Sequence, residues 1–349
     1  MLKDFWRRKV NYRSFFNNKD LIVSEVGFGV WSVATKWWGV TEEKLSISLL
    51  QHAFDMGINF FDTADIYGNG YGEEILAKAF PSSRDKKIYA TKFGYDIYSN
   101  KGERKGHTEM PQKFTGKDIE FSCEQSLKRL KTDYIDIYQL HNPRMDFINN
   151  DDVLETLDKL QRQGKIRSFG MALGPDIGWL DEGLDSMNHS PETLQIIYNL
   201  LEQEPSKSLF KKAKETNTSL IARVPHASGI MDGSFTKDKV YSKDDHRSHR
   251  RQKWMEAGLD ARDDFEFLFK DNGRTIGQAA ILFPLSEKNI CTVLPNFTSH
   301  EEIEEYTKVS EVPPFTEEEI EKIENLWNEK HVSSLAQPFS NTKTKPTPS

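Results

Sequence analysis

Cysteine is nearly absent from this chain: Cys123 and Cys291 are the only two in 349 residues, and they form no CxxC pair. A disulfide framework and a cysteine-based zinc site are therefore excluded. Long apolar runs are missing as well, and a bilayer-spanning helix would need roughly 20 such residues. The charged N-terminal segment, residues 1–8, has no apolar stretch behind it to act as a signal sequence. Nor is there an excess of positive charge. Lys and Arg number 47 against 54 Asp and Glu, a net charge of −7 spread along the chain. That balance argues against a nucleic-acid-binding surface. The expectations are a soluble globular protein in a reducing cytoplasm, without a nucleic-acid or membrane partner and without a metal site.

What is present is alternation. Apolar, β-rich runs fall at residues 25–31, 58–63, 87–93, 134–140, 166–171, 194–198, 219–224 and 290–294. Helical patterns lie between or after them at 42–55, 72–80, 116–130, 152–163, 176–187, 207–216, 275–285 and 299–307. Strands that alternate with helices imply parallel βαβ units, and eight such units predict closure into a (β/α)8 TIM barrel. Ser299 and Glu302 have capping-box spacing, and Thr316 precedes Glu317, Glu318 and Glu319 at the start of an extra C-terminal helix reaching about Trp327. Residues 9–24 read as an N-terminal β-hairpin. Residues 225–273 form a long loop after strand 7, with a helix expected near 250–269. Residues 1–332 are expected to form one domain. The tail 333–349, rich in Ser, Thr, Pro and Lys, is expected to be disordered.

Three of the apolar runs end in ionisable residues. Asp62 closes the run at 58–63, with Tyr67 five residues on; Lys92 closes Ile88-Tyr89-Ala90-Thr91, and His141 closes Ile135-Asp136-Ile137-Tyr138-Gln139-Leu140. A parallel barrel places its chemistry at these strand ends. A free phenol loses its proton near pH 10, so Tyr67 as a proton donor needs a nearby cation. Lys92 supplies one, and Asp62 can hold that ammonium in place. His141 can orient a reacting oxygen. Such a group polarises a carbonyl and protonates the alkoxide that develops. A hydride source is then required, and no side chain provides one, which implies a nicotinamide or flavin. Lys92 also fits a Schiff-base lysine of an aldolase-type barrel, and that alternative stands beside the first. His246 and His249, beside Asp244 and Asp245, raise a metal site; Arg247, Arg250 and Arg251 around them favour a solvated loop instead. Trp31, at a strand end, is expected to line a substrate pocket. Cys123 and Cys291 are expected to be packing residues.

The motifs Gly57-Ile58-Asn59-Phe60-Phe61-Asp62-Thr63-Ala64 through Tyr67-Gly68, Thr91-Lys92-Phe93-Gly94, Gln139-Leu140-His141 and Gly164-Lys165-Ile166-Arg167-Ser168-Phe169-Gly170 resemble those of the aldo-keto reductases. This is a family of (β/α)8 barrels that reduce aldehydes and ketones with NAD(P)H, and the likeness covers roughly residues 10–330. It implies a catalytic tetrad of Asp62, Tyr67, Lys92 and His141. It implies cofactor contacts at Gly29, Val30 and Trp31, at Asp62, at Gln195 through the carboxamide, and at Arg223, Val224, Pro225, His226, Ser228 and Gly229 around the pyrophosphate. Two segments depart from the family pattern. After the fifth strand the usual Ser and Asn are replaced by Ala172 and Leu173. After the eighth, Pro295, Asn296, Thr298 and Glu302 occupy a stretch without Lys or Arg. A carboxylate at 302 repels a 2′-phosphate and accepts from a ribose hydroxyl, while the helix start at Ser299 offers N–H groups to an anion. The resemblance thus predicts an oxidoreductase interconverting a small or sugar-like carbonyl compound and its alcohol, with NAD versus NADP open. The alternative is a catalytically weak nucleotide-binding barrel with a regulatory role. Oligomeric state is not legible.

Overall fold

All eight apolar runs become strands of one sheet, each parallel to its neighbours. The strands are β3 (Phe28–Gly29), β4 (Phe60–Asp62), β5 (Ile88–Phe93), β6 (Ile135–His141), β7 (Ile166–Ala172), β8 (Thr193–Ile197), β9 (Ser219–Arg223) and β10 (Ile290–Leu294). The order β3 to β10 follows the chain, and a parallel bridge between Val26 and Val293 joins its two ends into a barrel. Strands buried on both faces explain the continuous apolar runs. The computed structural model describes residues 10–35, 37–99, 109–174, 179–243 and 245–337.

Before the barrel stands the expected hairpin, β1 (Tyr12–Ser14) and β2 (Ile22–Ser24), paired antiparallel. It plugs one end. Phe15, Leu21 and Val23 pack with Phe60, Ile88, Ala90, Ile137, Ile221 and Cys291 into a small core separate from the larger one. That larger core lies between barrel and helices. The helices are α1 (Trp31–Ala34), α2 (Glu43–Asp55), α3 (Tyr71–Ala79), α4 (Gly116–Leu130), α5 (Met145–Ile148), α6 (Asp151–Arg162), α7 (Leu180–Ser186), α8 (Ser206–Thr216), α9 (Gln252–Asp264), α10 (Ile276–Leu285), α11 (His300–Thr307), α12 (Glu317–Leu326) and α13 (Val332–Leu335). Thr275, Ser299 and Thr316 each close a reciprocal capping box with the residue three further on, so local chemistry starts α10, α11 and α12.

Four expectations shift. The first strand is only two residues long, because Trp31 opens a helical turn instead of ending a strand. The fifth connecting helix runs from Leu180; residues 176–178 of the expected span lie outside the described residues. The helix of the long loop is shorter than 250–269: α9 ends at Asp264 and a 3-10 turn follows at Glu266–Leu268. Helical backbone continues to Leu335, whose side chain is buried, past the expected boundary at 332; residues 338–349 lie outside the described set. Both cysteines are free and buried.

One buried carboxyl lies just ahead of Tyr67. Asp65 is fully enclosed, without an ion-pair partner of its own among the described residues. Burial first, and the Glu73 carboxylate second, push it well above the ordinary carboxylate range; Arg129, the Ile66 N–H and Lys92 offset this only in part. Glu73 itself is committed to Arg129 at 2.6 Å and to the Thr91 hydroxyl at 2.6 Å. A carboxyl raised on folding contributes fully below its unfolded value of about 3.9, and that contribution is lost as pH climbs through the folded value. Asp65→Asn removes the ionisation. The variant is expected to gain in urea midpoint relative to the native chain at pH 8, with a smaller gain at pH 4. A difference that stays constant between the two pH values would mean that Asp65 is already ionised in the fold.

Candidate active site

The sequence places Asp62, Lys92 and His141 at the C-terminal ends of β4, β5 and β6, and the barrel turns all three ends toward one cleft. The Lys92 ammonium donates to Asp62 Oδ1 at 2.5 Å, to the Thr63 carbonyl at 2.8 Å and to the Tyr67 hydroxyl at 3.3 Å. Its side chain is 1% exposed and that of Asp62 5%. Burial alone would push the ammonium down; the charge of Asp62, then Tyr67, and the hydrogen bonds to both outweigh it and hold Lys92 above its ordinary value. Such a lysine stays a cation. A Schiff-base lysine must instead shed its proton, so the aldolase reading loses its physical basis.

Asp62 has further partners. Its Oδ2 accepts from the Gln195 amide at 2.8 Å and from the Gln139 amide at 3.1 Å. The Gln195 NH2 thus braces the carboxylate while the residue also lines the cleft. Gln139 was passed over as a site residue, although it lies two positions before His141 on one strand and hence faces the same side. The ring of Tyr67 meets Trp31 edge-on at 4.9 Å and His141 edge-on at 6.1 Å. On its other side His141 meets Tyr95 at 5.0 Å. The Tyr95 hydroxyl donates to Glu109 at 2.8 Å and accepts from Asn142 at 2.7 Å, and Arg144 pairs with Glu109 at 2.6 Å. Sequence reasoning missed Tyr95, Glu109 and Asn142, because this group assembles from separate segments only once β5 and β6 pair.

A cleft of about 350 Å³ opens over this group. Asp62, Tyr67 and His141 line it with Gly29, Trp31, Ala172, Gln195, Arg223, Val224, Pro225, His226, Ser228, Gly229, Asn296, Thr298 and Glu302. Lys92 sits behind Tyr67 and Asp62. Val30 and Pro295 are buried beside the cleft and are not part of its lining. The backbone after β9 is twisted into left-handed geometry at Val224, Ala227, Ser228 and Gly229, which curls it around the opening. Arg223 ends β9 and donates to the Leu173 carbonyl at 3.0 Å. Its guanidinium is pulled down by burial, opposed by the fields of Tyr67 and Asp62, and it remains cationic. Arg250, from the long loop, is locked by two bonds to Glu202 at 2.7 and 3.1 Å and donates to Ser228 Oγ at 2.9 Å.

The loop expected to be solvated is not. His246 and His249 both line the cleft, and His246 packs on Trp31 at 5.0 Å. The His246 N–H reaches the Trp37 carbonyl at 3.2 Å, so the excursion after β9 is pinned to the segment after α1. Trp38 lines the cleft as well. At the start of α11 one Glu302 carboxylate oxygen accepts from Thr298 N at 2.6 Å, Thr298 Oγ1 at 3.0 Å and Ser299 N at 3.2 Å, donors that precede the helix.

Comparison with known proteins agrees with this geometry. The sequence profile of the Aldo/keto reductase family matches residues 25–328. Aldo-keto reductase YhdN of Bacillus subtilis is 34% identical over 230 residues, which is 65% of this chain and 65% of that protein, just under two thirds of its length. Among solved structures, glycerol dehydrogenase AKR11B4 from Gluconobacter oxydans superposes with a TM-score of 0.77 at 25% identity, covering 95% of this chain and 98% of that one. The holo form of aldo-keto reductase AKR11C1 from Bacillus halodurans gives 0.74 at 26% identity, over 91% and 96%.

Proposed function

We propose that the chain, which belongs to the aldo/keto reductase family, is an NAD(P)H-dependent oxidoreductase that interconverts an aldehyde or ketone and its alcohol, with Tyr67 as the proton donor. The observation that carries this reading is the unbroken contact from Asp62 through Lys92 to the Tyr67 hydroxyl at the wall of a cleft. The donor set fits a dinucleotide. A half-buried guanidinium at Arg223, the left-handed turn at residues 224–229 and the hydroxyl of Ser228 offer a cation and hydrogen-bond donors along one wall. When bound there, the reduced nicotinamide supplies the hydride.

The chain's own residues do the rest. His141 and Tyr67 both present polar atoms to a carbonyl oxygen, and two donors fix its orientation. As negative charge grows on that oxygen, the proton moves to it from the Tyr67 hydroxyl. The phenolate left behind lies 3.3 Å from the Lys92 ammonium, which stabilises it at low dielectric. Asp62 keeps the ammonium in place, and Gln139 and Gln195 keep Asp62 in place. Trp31, Trp38 and His246 wall the cleft beside Tyr67, forming an aromatic pocket suited to the apolar part of a small substrate. We read the barrel and the helices after it as one domain, with a small carbonyl or alcohol as its partner. The two free, buried thiols suit a reducing cytoplasm.

The test is a titration of the full chain with NADH and NADPH, followed through tryptophan fluorescence, and then nucleotide oxidation across a panel of aldehydes, ketones and aldoses. Binding with turnover of at least one carbonyl class is expected. Binding with no turnover anywhere on the panel would transfer support to a regulatory nucleotide-binding barrel, and no binding would remove the dinucleotide reading.

A further inference from the structure

We infer that Glu73 is a positioning residue for proton transfer: from outside the barrel it sets the distance between the Tyr67 hydroxyl and the Lys92 ammonium, an inference that rests on the reductase reading above. Tyr67 sits on the loop between β4 and α3, and Lys92 sits on β5. Their contact at 3.3 Å therefore depends on how that loop is fastened to that strand. It is fastened at both ends, each time next to Lys92. At its start the Thr63 N–H donates to the Ala90 carbonyl at 2.8 Å and the Asp65 N–H to the Lys92 carbonyl at 3.1 Å, so the β4–β5 ladder runs on past the end of β4.

At its far end the fastening is a side chain. Glu73, in the first turn of α3, accepts from the Thr91 hydroxyl through Oε1 at 2.6 Å. Along β5, Ile88 and Ala90 face the small core inside the barrel, while Tyr89 and Phe93 face the helices. By the same alternation Lys92 points inward and Thr91 outward. Glu73 thus grips the strand one residue from Lys92, on its opposite face, in a fully buried site.

The carboxylate is itself held. Glu73 Oε2 accepts from Arg129 Nε at 2.6 Å, and the same guanidinium donates to the Tyr98 hydroxyl at 3.1 Å. Arg129 also lies against the loop backbone, where a Cβ on Gly70 would meet its Cδ at 2.6 Å. Between the two fastenings α3 closes on Tyr67 directly. The Gly72 N–H donates to the Tyr67 carbonyl at 2.9 Å, and a Cβ on Gly72 would stand 3.1 Å from the Tyr67 Cβ. A shift of α3 away from β5 would carry Tyr67 with it and lengthen its contact with Lys92. Glu73, Thr91 and Arg129 are not part of the cleft lining, so their effect on turnover passes through Tyr67 and not through contact with substrate or nucleotide.

The experiment compares Thr91→Val, Thr91→Ser and Glu73→Gln with the native full chain. Thr91→Val releases the strand and leaves every charge in place, with Glu73 still paired to Arg129; Thr91→Ser restores the hydroxyl. The first readout is ultraviolet difference titration of the Tyr67 phenol, with Tyr67→Phe as the blank, which needs neither nucleotide nor turnover. The charged and titratable groups around that phenol, Lys92, Asp62, His141 and Arg223, are unchanged in all three variants. A phenol farther from the ammonium ionises at higher pH. The transition is expected to move up by about one pH unit in Thr91→Val and to return to the native position in Thr91→Ser. In Glu73→Gln the lost negative field alone would move it down, so an upward move there reports displacement. The second readout is kcat for carbonyl reduction, expected to fall roughly tenfold to a hundredfold in Thr91→Val, with KM and nucleotide affinity near native. A phenol transition that stays at the native position in folded Thr91→Val overturns the inference, and so does a loss of stability with no such movement. If Thr91→Val does not fold, Glu73→Gln decides; if neither folds, the contact is structural and the inference is overturned. A native chain that turns over no carbonyl compound overturns the reductase reading instead, and the titration still decides whether Glu73 positions Tyr67.

Discussion

Tyr67→Phe is expected to lower carbonyl turnover by roughly 10²–10⁴-fold, the usual range for a positioned proton donor, while NADH affinity and thermal stability stay close to native. The substitution is clean because the hydroxyl makes one hydrogen bond, to Lys92 at 3.3 Å. The ring keeps its edge contact with Trp31 at 4.9 Å and its place 5.0 Å from the Lys92 ammonium. Lys92 in turn keeps Asp62 and the Thr63 carbonyl, so no buried charge is left unpaired. Steady-state rates at saturating substrate, with nucleotide affinity measured separately, distinguish the outcomes. A variant that turns over within about tenfold of native would reassign the proton donor, and His141 would be the next group to test.

The barrel was legible because its strands are buried on both faces and read as continuous apolar runs. The run at 290–294 matches its strand residue for residue, and the others differ by one to three positions at the ends, apart from the first. That first strand failed for a local reason: Trp31 has strand-forming character, but its contacts with Tyr67 and His246 come with a helical turn. The grouping of Asp62, Tyr67, Lys92 and His141 was legible because each sits at or just beyond a strand end. Its supports were not. Gln195 reaches Asp62 across 133 positions of sequence, and such a pair exists only once the barrel closes. The long loop was opaque for the same reason, since its course depends on Glu202 holding Arg250 and on Trp37 receiving the His246 N–H. Glu302 is an instructive case. The Ser299–Glu302 spacing already announced a cap, while its position suggested a ligand contact; the structure gives one carboxylate oxygen to the cap and keeps the residue in the cleft lining.

Lys92→Met is expected to do damage of two kinds that a second substitution separates. The ammonium is buried against Asp62 at 2.5 Å. Its removal leaves a carboxylate in the barrel interior with only the Gln139 and Gln195 amides for company. Breaking one side of a buried pair costs about 3–5 kcal/mol, which should appear as a large drop in urea midpoint. Turnover should fall by about 10²-fold or more, because the phenolate of Tyr67 loses its stabilising cation. Adding Asp62→Asn removes the stranded charge, and the Asn oxygen can still accept from the two amides. The double variant should therefore recover more than half of the lost stability and none of the lost turnover. Stability and turnover that return together would show Lys92 to be a packing residue whose catalytic effect is indirect. Stability that fails to return would show that the loss came from the vacated volume and the unpartnered Thr63 carbonyl rather than from Asp62.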